Sequence, residues 1–291
     1  MKSVSWKEKA VKLTLFSAAS TSILIVALIF VFLVKEASGF AFEPGISRLF
    51  SNRWIPVSFQ KETFGVIPLL TGSLLVTLCA ILIMMPLGVG TAVYISELAS
   101  SREREILKPF IEILAGIPSV VIGFFGLVVL VPFIKNLFNL QTGLNALSGS
   151  ILLAIMALPT VISISEDAIR SVPRSYKSAS LALGANKMQT VCKVTIPAAF
   201  GGIVTAVMLA TGRVIGETMA VMMVTGNAAN ITASPFRSVR TMTATIAAEM
   251  GEVAFGSTHY QALFCVGLIL LITTFGLNVV AFRILKKYRM A

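Results

Sequence analysis

The chain has 291 residues, of which 56% are hydrophobic and 13% charged, and its mean hydropathy is +0.89. Soluble domains carry about 25% charged residues, so a composition this apolar excludes an ordinary soluble domain and calls for a bilayer. The formal charge of +11 is scattered along segment borders instead of forming one basic face, which argues against nucleic acid as a partner.

A helix needs about 20 apolar residues to cross roughly 30 Å of hydrocarbon. Residues 13–34, 66–96, 113–134, 136–165 and 261–282 carry no charge, and 194–236 is interrupted only by Arg213 and Glu217. The expected fold is therefore an all-α integral membrane protein with about six transmembrane helices. In chain order we expect a cytoplasmic segment at 1–12, a first transmembrane helix at 13–34 and an external loop at 35–65. A core at 66–284 follows, with five spans and a cytoplasmic loop at 170–197, and then a cytoplasmic tail at 285–291.

Orientation rests on the connecting segments. The N-terminus, the second and fourth loops and the C-terminus hold sixteen Lys and Arg, against seven in the opposite set. By the positive-inside rule both termini are cytoplasmic. The charged start and apolar middle of the first span also fit a signal peptide. The length of its uncharged run and the even number of spans favour a retained helix.

In the first external segment Trp54 is expected at the membrane interface, and Pro56 and Pro68 at turns. Pro86, Pro118, Pro132 and Pro159 fall inside spans, where each frees a backbone carbonyl that needs a neighbour or water. Gly116-Ile117-Pro118-Ser119-Val120-Val121 echoes Ala157-Leu158-Pro159-Thr160-Val161-Ile162, which suggests two similarly kinked helices. Residues 244–250, in the last external segment, fit a short amphipathic helix. Cys79, Cys192 and Cys265 form no C-x-x-C pair, so neither a disulfide nor zinc is expected. His259 is expected to be structural.

Arg213 and Glu217 lie between apolar flanks. An Arg at a span centre costs about 2.5–3.5 kcal/mol on insertion scales. The i, i+4 spacing puts both side chains on one helix face, where they can pair. Gly212 and Gly216 offer a small-x-x-x-small face for close helix approach. One reading is an anion site, since a guanidinium matches phosphate oxygens. The other is an ion pair that only sets helix register.

The fourth loop runs Tyr176-Lys177-Ser178-Ala179-Ser180-Leu181-Ala182-Leu183-Gly184-Ala185-Asn186, and nine residues after Gly184 comes Val194-Thr195-Ile196-Pro197. This reads as a short helix, a glycine turn and a Pro opening the next span. The pattern resembles the EAA loop of ABC importer permeases, whose coupling helix docks on the ATPase subunit. Ala179, Gly184 and Pro197 match it, and Val194 and Ile196 match conservatively. Ser178 stands where the pattern has Glu and Ser180 where it has its second Ala, with the spacing intact.

The resemblance extends along most of the chain. Trp54-Ile55-Pro56, Phe64-Gly65-Val66-Ile67-Pro68, Thr71-Gly72-Ser73-Leu74, Pro86-Leu87-Gly88, Tyr94-Ile95-Ser96-Glu97, Glu112 to Val120, Gly212-Arg213, Gly216 to Ala220, Gly226-Asn227-Ala228 and Gly256 to Tyr260 carry it. The chain is identified as a member of the type I ABC importer permeases and resembles the PstC-type phosphate permease subunits. The Trp54 to Gly72 region favours that type over its PstA-type sister.

The resemblance implies the type I importer permease fold in a bacterial inner membrane, with Arg213 and Glu217 on the path of phosphate. It also implies a homologous PstA-like permease, two PstB-like ATP-binding subunits and an external PstS-like phosphate-binding protein. There is no G-x-x-x-x-G-K-[ST] loop, so ATP and Mg would be bound by partner chains and no cofactor by this one. Three alternatives remain open: a permease for sulfate, molybdate or phosphonate, a stand-alone ion-coupled transporter, and, least of all, an enzyme, for which no nucleophile–base–orienter set is present.

Overall fold

The computed structural model describes residues 6–58 and 61–289. The first five residues of the expected N-terminal segment and the last two of the tail lie outside the described residues. The first span is α1 (Trp6–Phe40), longer than the expected 13–34. Its large apolar side chains between Ile23 and Val31 are 49–71% exposed, an apolar surface of the kind that lipid or another membrane subunit covers. A bent segment then leads to a two-stranded antiparallel ribbon, β1 (Trp54–Ile55) and β2 (Thr63–Phe64), with Trp54 opposite Phe64.

The second span is α2 (Ile67–Val93), and Pro68 sits in its first turn instead of making a separate turn. That placement suits Pro, whose missing N–H has no partner there anyway. A π-helical turn, Tyr94–Leu98, extends it. Next is α3 (Ser101–Gly116), opened by a capping box. Ser100 Oγ accepts the Glu103 N–H at 3.3 Å, and the Glu103 carboxylate accepts the Ser100 N–H at 2.7 Å.

The third span was expected over 113–134 but begins later. Pro118 holds Ile117 extended (φ −71°, ψ 129°) and ends α3 at Gly116, as a residue before Pro disfavours helix. The span is α4 (Ser119–Phe125) and α5 (Val131–Leu137), joined by a π-helical turn. The fourth is α6 (Ala146–Arg170), which runs unbroken through Pro159. The two echoing proline motifs therefore differ: one separates two helices and the other lies inside one.

After α6 come α7 (Arg174–Ala182) and α8 (Lys187–Thr190), separated by Gly184 at φ +84°. The fifth span continues through 191–195 into α9 (Ile196–Gly216), with Pro197 in its first turn, and α10 (Met219–Val224) follows a break. The last elements are α11 (Met242–Glu249) and α12 (Thr258–Arg289). Met242 to Thr245 of α11 are buried. The helix expected at 244–250 is thus packed into the protein by its first turn and does not lie flat on an interface.

Lipid tails are as apolar as the helices, so close packing and polar contacts must hold spans together. The central cluster joins α2, α6, α9 and α10 around Val76, Met84, Leu152, Ala157, Ala210 and Val224. A Cβ at Gly88 would lie 2.6 Å from Val161 Cγ1, so α2 and α6 meet where only glycine fits. Ser150 Oγ donates to the Val76 carbonyl at 3.0 Å across the same seam.

A second cluster joins α1 and α12 to the ribbon through Phe40, Phe64, Met242 and Leu263. Trp54, expected at the interface, is 4% exposed and belongs to this cluster. Its Nε1 donates to both oxygens of the Glu249 carboxylate, at 3.2 and 3.1 Å. The ring is held inside because its one polar atom finds an acceptor there, the partly buried Glu249 carboxylate.

Candidate translocation site

Arg213 occupies the last turn of α9. Three residues later the helix stops. Gly216 is its final residue, and Glu217 is extended (φ −69°, ψ 136°). Glycine weakens a helix interior by about 1 kcal/mol relative to Ala, and Glu217 rewards the break by accepting the Ala220 N–H at 3.4 Å at the start of α10. The expectation that Arg213 and Glu217 share a helix face and pair is therefore corrected. Among the described residues they form no ion pair with each other, because the backbone leaves the helical path between them.

The two side chains face different surroundings. Glu217 is half-buried and lines a cavity of about 10 Å³ with Ser73, Thr77, Thr241 and Thr243. Thr243 Oγ1 donates to the Glu217 carbonyl at 2.8 Å, and Ser73 Oγ accepts the Met242 N–H at 2.9 Å. Holding one water takes about 10–15 Å³, so this polar cluster is closed to any oxyanion unless its walls separate. Arg213 is exposed. Among the described residues, no atom beyond the adjoining residues and the local helix backbone lies within 4 Å of where a Cβ would sit on Gly212 or Gly216. The close helix approach expected at these glycines is not made within this chain, and the face carrying Arg213 is open.

The hydroxyl cluster was not singled out in the sequence. Ser73 and Thr77, at i, i+4 within an apolar span, were the available signal. Thr241 and Thr243 carried none, because only tertiary packing brings α11 against α2.

At the far end of the bundle, Ser178 and Ala179 are exposed on α7. Ser180 Oγ lies 3.0 Å from Thr190 Oγ1, and so ties α7 to α8 at the root of the fifth span. Val194 is in the π-helical turn before α9, and Ile196 and Pro197 begin α9 itself. Lys177 forms an ion pair with Glu97 at the end of α2's extension. Leu183 is 89% exposed and Tyr176, Leu181 and Met188 are exposed beside it, a run of apolar side chains on an otherwise polar loop. The short helix, positive-φ glycine and opening proline stand where the spacing put them.

Six helices among the described residues are long and apolar enough to cross a membrane, and with the broken helix at a buried polar cluster they define a multi-span membrane protein. Its family is shown by comparison. The chain belongs to the binding-protein-dependent transport system inner membrane components, whose pattern matches residues 84–288. One relative, described as "Probable ABC transporter permease protein YqgH" of Bacillus subtilis, is 44% identical over 79% of this chain and 74% of its own length. The phosphate transport system permease protein PstC of Mesorhizobium japonicum is 38% identical over 81% of this chain and 77% of its own length. A bacterial ABC transporter that imports the acidic polysaccharide alginate covers 97% of this chain and 98% of its own, with a TM-score of 0.66 at 13% identity. That last likeness is one of fold, the type I ABC importer permease fold. The resemblance to PstC-type permeases read from the motifs is borne out.

Proposed function

We propose that this chain is the permease subunit of an ATP-driven importer of inorganic phosphate, with both termini cytoplasmic. The observation that carries the reading is its identity of 38% to a phosphate permease over 81% of the chain. The open guanidinium of Arg213 beside a helix break supports it. Broken membrane helices are tolerated where they line a cavity or a protein interface.

The chain itself carries out no catalysis. ATP and Mg are bound by two partner ATPase subunits, a homologous permease covers the Arg213 face, and an external phosphate-binding protein delivers the anion. The exposed α7 loop, with Leu183 and Tyr176 at its surface, docks on the ATPase. Its ties through Lys177–Glu97 and Ser180–Thr190 carry movement to α2 and α9. Separation of the walls around Ser73, Thr77 and Thr243 opens the polar cluster, and phosphate passes Arg213.

The test is uptake of labelled phosphate by the assembled complex. Arg213→Gln and Glu217→Gln are expected to reduce uptake sharply while the complex still assembles. Normal uptake by assembled variants would remove this pair from the path. Competition by sulfate, molybdate or phosphonate at equal concentration would reassign the anion.

A further inference from the structure

A second basic site lies at the opposite end of the bundle from the external ribbon. A cavity of about 460 Å³ opens between the end of α2's extension, the start of α3, the end of α6 and the start of α7. Ser96, Arg104, Arg170, Arg174, Lys177 and Ser178 line it, together with two apolar side chains and no carboxylate.

The cations there are unevenly satisfied. Arg104 donates from Nε and Nη2 to the Ile95 carbonyl at 3.0 and 2.8 Å, and from Nη2 to the Ser96 carbonyl at 3.1 Å. Carbonyls orient this guanidinium without cancelling its charge. Arg170 and Lys108 share one carboxylate, Glu166, at 3.2 and 3.0 Å, and Lys177 pairs with Glu97. Arg174 has no hydrogen-bond or ion-pair partner among the described residues. The four cations of the lining, with Lys108 beside them, thus meet two carboxylates. The nine-residue helix α7 also starts here, and its N-cap, Pro173, offers no side chain to the first N–H groups. Those orphan donors and the positive end of the helix dipole favour an anion.

We propose that this cavity is a binding site for a phosphate oxyanion, supplied either as free inorganic phosphate or as a lipid phosphodiester headgroup. Guanidinium forks and helix N–H groups match tetrahedral oxygens. The volume falls in the range of about 300–1,000 Å³ typical of small-ligand sites and leaves room for a substituent on the phosphate. An occupant would brace α7 against α3 and α6 and so bias the loop assigned above to ATPase docking. Only this consequence, and the placing of the site on the cytoplasmic side, rest on the proposed function.

The experiment uses the full-length chain in nanodiscs. In discs of phosphatidylcholine alone, equilibrium binding of labelled inorganic phosphate is measured. In discs with added phosphatidylglycerol, native mass spectrometry counts retained anionic lipid. Saturable phosphate binding identifies the free anion, and retained phosphatidylglycerol without phosphate binding identifies the lipid. In whichever arm binds, Arg174→Gln is expected to weaken binding about tenfold, the loss of one charge-assisted contact. Ser178→Asp, which adds a carboxylate to the lining, acts in the same direction. Lys187→Gln, an exposed cation outside the cavity, leaves binding unchanged. Absence of binding in both arms, or equal loss in Arg174→Gln and Lys187→Gln, would each overturn the proposal. Uptake by the assembled Arg213→Gln complex tests the proposed function separately, since Arg213 lies outside the cavity lining.

Discussion

Glu249 gathers three partners on the ribbon side of the molecule. Trp54 donates to both of its oxygens, Arg240 Nη1 lies 2.6 Å from Oε1, and His259 Nε2 lies 2.8 Å from Oε2. One side chain thus joins the ribbon, α11 and the start of α12. Removing one partner of a buried ion pair costs about 3–5 kcal/mol, and Glu249 is 14% exposed. Glu249→Ala is expected to destabilise the protein by about 3 kcal/mol, read as a lowered midpoint of thermal unfolding in detergent. For Arg213, Lys keeps the charge and loses the fork. Losing a charge-assisted hydrogen bond costs about 1.5–3 kcal/mol, or roughly 10–150-fold. Arg213→Lys is expected to retain more phosphate uptake than Arg213→Gln, and equal rates would mean that charge alone matters. Arg213 stood out in the sequence because a cation in an apolar span is costly. Glu249 did not, because its partners are up to 195 residues away and none shares a local pattern with it.

The elements follow local chemistry closely. Pro68 and Pro197 open helices, Asn145 caps α6 through the Ser148 N–H at 2.9 Å, and Gly184 at φ +84° separates α7 from α8. Gly184→Ala would force a side chain into the left-handed region at a cost of about 1 kcal/mol. Its expected effect is slower ATP-coupled uptake with normal membrane insertion. Gly88→Leu drives a side chain into Val161, and overpacking costs about 1–3 kcal/mol, so a lowered unfolding midpoint is expected. At α3 the Ser100 N–H holds the Glu103 carboxyl below the ordinary carboxylate range, with help from the Ser100 and Tyr94 hydroxyls. A lowered folded-state pKa stabilises at pH above the unfolded value, and that stabilisation is lost as pH falls through the folded value. The protection of amides at the start of α3, taken relative to their intrinsic exchange rate at each pH, should therefore fall only at pH below the ordinary carboxylate range. The break at Glu217 was illegible in advance. An apolar run with two glycines reads as one span, and the competing stabilisation comes from Thr243 on α11.

For the whole molecule, the exposed apolar belt of α1 and the open Arg213 face are surfaces a lone chain cannot cover in water. The first suits lipid or a neighbouring membrane subunit, and the proposed function gives the second to a homologous subunit. Orientation is directly checkable. Val57 is 82% and Leu183 89% exposed, and an odd number of spans separates them. With both termini inside, a membrane-impermeant maleimide added to intact cells labels Val57→Cys and spares Leu183→Cys. The reverse pattern would invert the topology.

Span number, charge bias and the short helix–glycine–proline loop were all written in the order of residues. Each depends on neighbours within one helix length or on the summed cost of placing charge in hydrocarbon, and such terms need no knowledge of distant contacts. The fate of Arg213 and Glu217, the burial of Trp54, the hydroxyl cluster of Ser73 and Thr243, and the basic cavity beside α7 emerged only on folding. Each of these is set by groups from several helices that compete for the same few hydrogen bonds, and that competition has no trace in local periodicity.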